Sequence, residues 1–222
     1  MHVQPPRVLS TTIGELPLHE CRLSIGGRAW TIVHTGAILS HEDEERFLLG
    51  EQQLAYGIAL WPAAIALAHE LAGRPLAGLR VLELGAGTGL PGIVAAALGA
   101  RVVQTDVNAA ALAVSRMNAE VNGVTLEQRA ADWTAWCDTD PYDFIIGSDI
   151  LYADRVHPHL RQIFNRNLAA GGRLLLSDPF RGTSIRFLQA MEADGWKATF
   201  DKWTVGVVPP PRSIGVFELT RA

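Results

Sequence analysis

The chain is 222 residues long, which suits one domain with room for an elaboration at one end. Its 19 Lys and Arg stand against 23 Asp and Glu, and a net charge of −4 gives no basic field for DNA, bulk RNA or an anionic membrane. Two cysteines, Cys21 and Cys137, make neither a disulfide framework nor a C-x-x-C pair, and residues 1–7 hold no apolar signal core, so a cytoplasmic location is expected.

Residues 1–45 read as a β extension and residues 46–222 as the main domain. Leu23-Ser24-Ile25 and Ala29 to Val33 flank Gly26-Gly27, the pattern of a hairpin turn. The acidic run at 41–45 reads as a solvated helix start. Tyr56-Gly57 leads to Trp61-Pro62, and Pro62 suits the first position of a helix running to about Ala72. Trp61 is either a core aromatic or a wall of a ligand site. The apolar stretch from Gly57 to Ala68 is too short to span a bilayer.

From Leu79 onward strand and helix alternate. Leu79 to Leu84 reads as a buried strand, Ile93 to Leu98 as a helix, Arg101 to Asp106 as a strand, and Ala109 to Asn122 as a helix closed by Gly123. Strands follow at Thr125 to Arg129 and Asp143 to Ser148. A helix from His157 to Leu168 is expected to end at Gly171-Gly172, before a strand from Arg173 to Ser177. Ser184 to Ala193 reads as a last helix, and Lys197 to Val205 and Ile214 to Thr220 as two strands. Alternation implies a parallel α/β sheet, and the closing strand pair implies an antiparallel edge.

The chemistry centres on Glu83-Leu84-Gly85-Ala86-Gly87-Thr88-Gly89-Leu90-Pro91-Gly92, between the first of these strands and its helix. Glycine lets the backbone turn sharply and approach a ligand, and the turn aims a helix N-terminus at it. Two registers compete. Gly87-x-Gly89-x-x-Gly92 fits a dinucleotide fingerprint, which leaves Glu83 and Gly85 unexplained. Glu83-x-Gly85-x-Gly87-x-Gly89 resembles motif I of the class I S-adenosylmethionine (SAM) methyltransferases. A carboxylate at Glu83 suits the cationic half of that cofactor.

Asp106 ends the second strand, where an acidic residue accepts ribose hydroxyls; its other reading is a turn before the Ala109 helix. Asp132-Trp133 follows the third strand, where a SAM site holds adenine. Ser148-Asp149-Ile150-Leu151-Tyr152 leaves the fourth strand at the carboxyl edge of the sheet, where open α/β sheets bind ligands. Tyr152 is expected one helical turn after Asp149. Asp178-Pro179-Phe180-Arg181 leaves the fifth strand in the same layer and reads as a turn. His69, His157 and His159 show no metal-ligand spacing.

The stretch from Tyr56 to Asp178 resembles the seven-β-strand protein methyltransferases of family 16, mostly lysine methyltransferases. The resemblance rests on Tyr56-Gly57 with Trp61 and Ala64, on motif I with Gly92, on Thr105-Asp106, and on Asp149-x-x-Tyr152. Asp178-Pro179-x-Arg181 is similar to a segment of the branch that modifies the β subunit of electron transfer flavoprotein. It implies a Rossmann-like class I methyltransferase with a seven-stranded, mostly parallel sheet of order 3-2-1-4-5-7-6. It implies SAM as cofactor and a protein amine as acceptor. Carried over residue by residue, the cofactor side comprises Trp61, Glu83, Gly85, Ala86, Gly87, Thr88, Gly89, Asp106, Val107, Asp132, Trp133 and Ser148. Asp149 and Tyr152 fall on the catalytic side. A protein substrate is expected, with no DNA or membrane partner. The alternatives are a small-molecule amine methyltransferase and an NAD-binding oxidoreductase.

Overall fold

The computed structural model describes residues 7–11, 14–36, 57–206 and 211–221. Tyr56, the acidic run at 41–45, the 45/46 boundary, Pro209 and Pro210 lie outside the described residues.

Ten strands and five α-helices follow one another in the described residues. The first three strands are β1 (Arg7–Thr11), β2 (Gly14–Ile25) and β3 (Arg28–His34), joined in order as an antiparallel sheet. The Gly26-Gly27 turn is where the sequence sets it, both glycines having positive φ. Helix α1 (Pro62–Ala72) follows, with Pro62 in its first turn.

The main sheet then alternates with helices: β4 (Arg80–Leu84), α2 (Leu90–Ala97), β5 (Arg101–Asp106), α3 (Ala109–Val121), β6 (Glu127–Ala130) and β7 (Tyr142–Ser148). Helix α4 (His157–Asn167), β8 (Leu168–Asp178), α5 (Gly182–Ala193), β9 (Trp196–Val205) and β10 (Arg212–Arg221) complete it. The sheet order is β6-β5-β4-β7-β8-β10-β9, which is the expected 3-2-1-4-5-7-6. Strand β10 runs antiparallel to both neighbours. Among the described residues no helix is long and apolar enough to cross a membrane.

Side-chain alternation along the strands builds two cores. Val81, Val102, Phe144 and Ile146 face a core that includes residues of α1 and α2. Leu82, Leu84, Val103 and Ile145 face the opposite core, beneath α4 and α5. The N-terminal sheet is tied into this body: Trp30 and Ile32 join the first core, and Val33 packs with Ala111 and Val114 of α3.

Two expectations are corrected. Helix α4 ends at Asn167 and β8 begins at once with Leu168, so Gly171-Gly172 lies inside an irregular strand. The buried Asn167 ends the helix by donating to the carbonyls of Asp138 and Asp140 while accepting from Trp136 Nε1. The segment from Asp149 to Tyr152 is also not helical. Asp149 has φ 60°, outside the α-helical basin, and its N–H is held by the Ser177 carbonyl at 2.8 Å.

Candidate active site

The glycine loop leaves the carboxyl end of β4. Gly85, Gly87 and Gly89 have φ of 67°, 53° and 76°, a left-handed region that side chains with a Cβ avoid. A Cβ on Gly89 would overlap the Ser115 hydroxyl, and one on Gly85 would stand 3.0 Å from Ile150 and 3.4 Å from the Trp133 indole. Backbone hydrogen bonds tie the loop down: Ala86 N donates to Thr105 O of β5, and Gly89 N to Ala86 O at 2.7 Å. Ala86 and Thr88 are buried.

Four buried polar side chains underlie the loop. Glu83 points to the face of β4 covered by α2, where Oε2 accepts from Gly92 N at 3.1 Å and from Gln104 Nε2 at 2.6 Å. Gln104 Nε2 also donates to Gly89 O, and Ser115 donates to Gln104 Oε1. Asn118 donates to Thr88 O at 2.9 Å. Glu83 Oε1 has no hydrogen-bond partner, and burial, with Asp106 nearby, pushes this carboxyl up to about 8. The sequence reading set Glu83 against the cationic half of the cofactor; the structure sets it beneath the loop, where it shapes the cradle.

Asp106 closes β5 beside the loop. Its Oδ2 accepts from Gly87 N at 3.0 Å and its Oδ1 from Asn108 N at 2.8 Å. Burial raises this carboxyl, and the backbone N–H groups of Asn108, Gly87 and Val107 oppose the rise. The helix-capping role passes to Asn108, which accepts from Ala110 N. Val107, the next residue, is 72% exposed and presents an apolar surface beside the carboxylate. Asp132 is exposed; its Oδ1 accepts both the N–H and the hydroxyl of Thr134, capping a short 3₁₀ turn and holding the carboxyl below its usual range. Trp133 packs half-buried against the second core, next to Gly85. Trp61 immediately precedes α1, and the Gly57 carbonyl of the same segment lies against Gly87.

The expected substrate-side residues follow β7, next to β8. Ser148, half-buried, pairs with Ser177 across the ladder. Asp149 forks onto the guanidinium of Arg181, which also reaches Asp178 Oδ2 at 3.1 Å. Asp178 is fully buried and its Oδ1 accepts from Arg181 N, the turn the sequence suggests. Tyr152 lies half-buried in the non-helical segment that follows β7, and burial raises its phenol. Sequence reasoning did not single out Arg181 for Asp149, nor Gln104, Ser115 and Asn118 for the loop. A signal existed for the last three: Gln104 is a polar residue in the middle of a buried strand, and Ser115 and Asn118 are one turn apart on an otherwise apolar helix face.

These residues fit SAM on structural grounds. Left-handed glycines hold a tight turn at the carboxyl end of β4, Asp106 offers two carboxylate oxygens, Val107 an exposed apolar surface, and Asp132 an exposed carboxylate. The fold and site define a class I SAM-dependent methyltransferase. The model of a family described as lysine methyltransferase matches residues 42–194, well over half of the chain, and the chain belongs to that family.

Solved structures share the fold. A 16S rRNA N2 methyltransferase from T. thermophilus, in complex with AdoMet and guanosine, is 20% identical with a TM-score of 0.63, covering 92% of this chain and 51% of that one. A ribosomal-protein methylase from Lactobacillus delbrueckii subsp. bulgaricus is 24% identical with a TM-score of 0.57, covering 74% and 84%. A magnesium protoporphyrin IX methyltransferase from Synechocystis, with bound SAM, is 19% identical with a TM-score of 0.56, covering 81% and 83%. No curated protein matches the chain significantly. Among the described residues no group of three or more His, Cys, Asp or Glu is arranged to hold a metal ion.

Proposed function

We propose that the protein methylates the side-chain amine of a lysine in a protein substrate. The observation that carries this reading is the charge of the crevice. Asp149 and Asp178 share one half-buried cation there, Arg181, and Asp106 adds a third carboxylate at the end of β5, with Arg155 exposed. An amine gains positive charge as it takes a methyl group, and surplus carboxylates favour that charge. The same surplus disfavours a phosphodiester backbone. The family description supports the lysine assignment.

SAM supplies an electrophilic methyl on a sulfonium, so the protein mainly positions and desolvates the acceptor. A lysine amine has an unperturbed pKa of about 10.4 and must lose its proton to present a lone pair. In this reading Asp149 accepts a hydrogen bond from the amine and aims that lone pair, while Arg181 holds the carboxylate in place. Tyr152 stays a neutral phenol at physiological pH, since burial raises it further, and it walls the acceptor side. Cytoplasmic residence is part of the same proposal.

Incubation of the purified protein with labelled SAM and a lysate of its host tests the reading. A labelled, protease-sensitive band that yields methyl-lysine on hydrolysis supports it. Label found only in small molecules or in ribonuclease-sensitive material overturns the acceptor assignment.

A further inference from the structure

The N-terminal sheet lies outside the parallel sheet that forms the cofactor crevice, yet it is bonded to the glycine loop through one side chain. Asn118 on α3 and Asn122, which caps its end, stand one turn apart, a spacing of about 6 Å. That step nearly matches two residues of a β-strand, about 6.7 Å. The two carboxamides therefore meet alternate residues of β3 as a neighbouring strand would. Asn122 Oδ1 accepts from Thr31 N at 3.0 Å and its Nδ2 donates to Thr31 O at 2.8 Å. Asn118 Oδ1 accepts from Val33 N at 2.7 Å and its Nδ2 donates to Val33 O at 3.0 Å. The reverse orientation of either amide would set two N–H groups against each other, so the network determines it.

The two asparagines differ in their third bond. Asn122 spends its second N–H on its own helix, at Asn118 O. Asn118 spends its second on Thr88 O, 2.9 Å away in the middle of the glycine loop. Asn118, Val33 and Thr88 are all buried, so water cannot replace these bonds. A second route runs from the end of the same strand. Thr35 N donates to Ile58 O and Leu60 N to Gly36 O, and the adjoining Gly57 carbonyl rests against Gly87.

We infer that the N-terminal sheet is part of the cofactor-binding apparatus and that Asn118 is its positioning residue, clamping Thr88 so that Gly87 and Gly89 hold their left-handed turns. This rests on the cofactor, and not on the identity of the methyl acceptor. Pulling the Thr88 carbonyl inward orients the peptide planes on both sides of it, which are the planes the cofactor must meet. Ordering the loop in advance spares the ligand that ordering cost.

Asn122→Ala is the internal control, because it removes the same pair of bonds to β3 and leaves the loop alone. Both Asn118→Ala and Asn122→Ala are expected to melt below wild type. Only Asn118→Ala is expected to weaken S-adenosylhomocysteine binding in calorimetry, by tenfold or more. Equal affinities for the two variants would overturn the inference. Hydrogen exchange on the wild-type protein gives a second reading that needs no folded variant. Binding is reciprocal, so S-adenosylhomocysteine should slow exchange at Val33, whose N–H is held by Asn118, as well as in the loop. Protection confined to the loop would also overturn it.

Discussion

Arg181 forks onto both carboxylate oxygens of Asp149, joining the carboxyl ends of β7 and β8 across 32 residues of sequence. The side chains are 9% exposed for Asp149 and 16% for Arg181, and Asp178 on the other flank is fully buried. The two non-glycine residues with positive φ among the described residues are Asp149, at 60°, and Phe180, at 62°. Such conformations cost about 1–3 kcal/mol and persist where the surroundings over-determine them. Here the ion pair fastens one strained turn to the residue that follows the other.

Asp149→Asn tests the charge alone, because asparagine tolerates the left-handed region nearly as well as aspartate. Methyl transfer is expected to fall by two orders of magnitude or more, with S-adenosylhomocysteine affinity within about threefold of wild type. Stability should also fall. Removing one partner of a buried pair costs about 3–5 kcal/mol, and the remaining contact to Asp178 should limit the loss to about 1–3. Single-turnover methylation, calorimetry and melting on this variant separate the roles. A parallel collapse of cofactor affinity would place Asp149 in the cofactor site.

Asp106→Ala should weaken cofactor binding at least tenfold. It removes the acceptors for two hydroxyls, and hydrogen bonds to a charged group contribute about 1.5–3 kcal/mol each. It also frees the Gly87 N–H, which Asp106 holds at 3.0 Å. Asp106→Asn should lose less, since one oxygen still accepts. Calorimetry with S-adenosylhomocysteine ranks the three proteins, and equal affinities would reduce Asp106 to a backbone brace.

Glu83 makes stability depend on pH in a defined direction. In the folded protein this carboxyl stays protonated up to about pH 8, whereas an unburied one ionises near 4.5. Between those values folding takes up a proton, so stability falls as pH rises, by up to about 1.4 kcal/mol per pH unit. Above about pH 8 the loss is complete. Glu83→Gln imitates the protonated acid and removes this dependence. The variant should gain on wild type between pH 5 and pH 8 in urea melts of the ligand-free protein; a constant difference would show that Glu83 does not titrate there.

Gly89→Ala and Gly78→Ala separate backbone strain from overlap. Both glycines have positive φ, 76° and 79°, but a Cβ at Gly78 meets nothing within 4 Å while one at Gly89 runs into Ser115 and Gln104. Gly78→Ala should cost about 1–2 kcal/mol, the usual penalty of that region. Gly89→Ala should cost clearly more and also weaken cofactor binding. Thermal melts read the first effect and calorimetry the second.

Much of this protein was legible in its sequence because the signals are local. Helix α1 runs from Pro62 to Ala72 as Pro62 and the apolar run set it, and Gly123 closes α3 with φ 66°. The glycine loop and the strand–helix alternation led to the observed sheet order, since right-handed crossovers leave few topologies open. Local reasoning failed where a distant partner overrides the chain's own preference. Asp149 to Tyr152 reads as a helical turn, yet a hydrogen bond to Ser177 and the pair with Arg181 hold Asp149 outside the helical basin. Glu83 reads as facing the cofactor, yet strand alternation and Gln104, 21 residues on, turn it under the loop. Asn118 reads as an ordinary polar helix residue, and only packing brings it to Val33, 85 residues earlier. Periodicity and turn chemistry act over a few residues, so the sequence by itself determined the elements, their order and the cofactor loop. Hydrogen bonds between buried groups depend on which surfaces meet in space, so only the tertiary structure decided what holds that loop and what Asp149 is paired with.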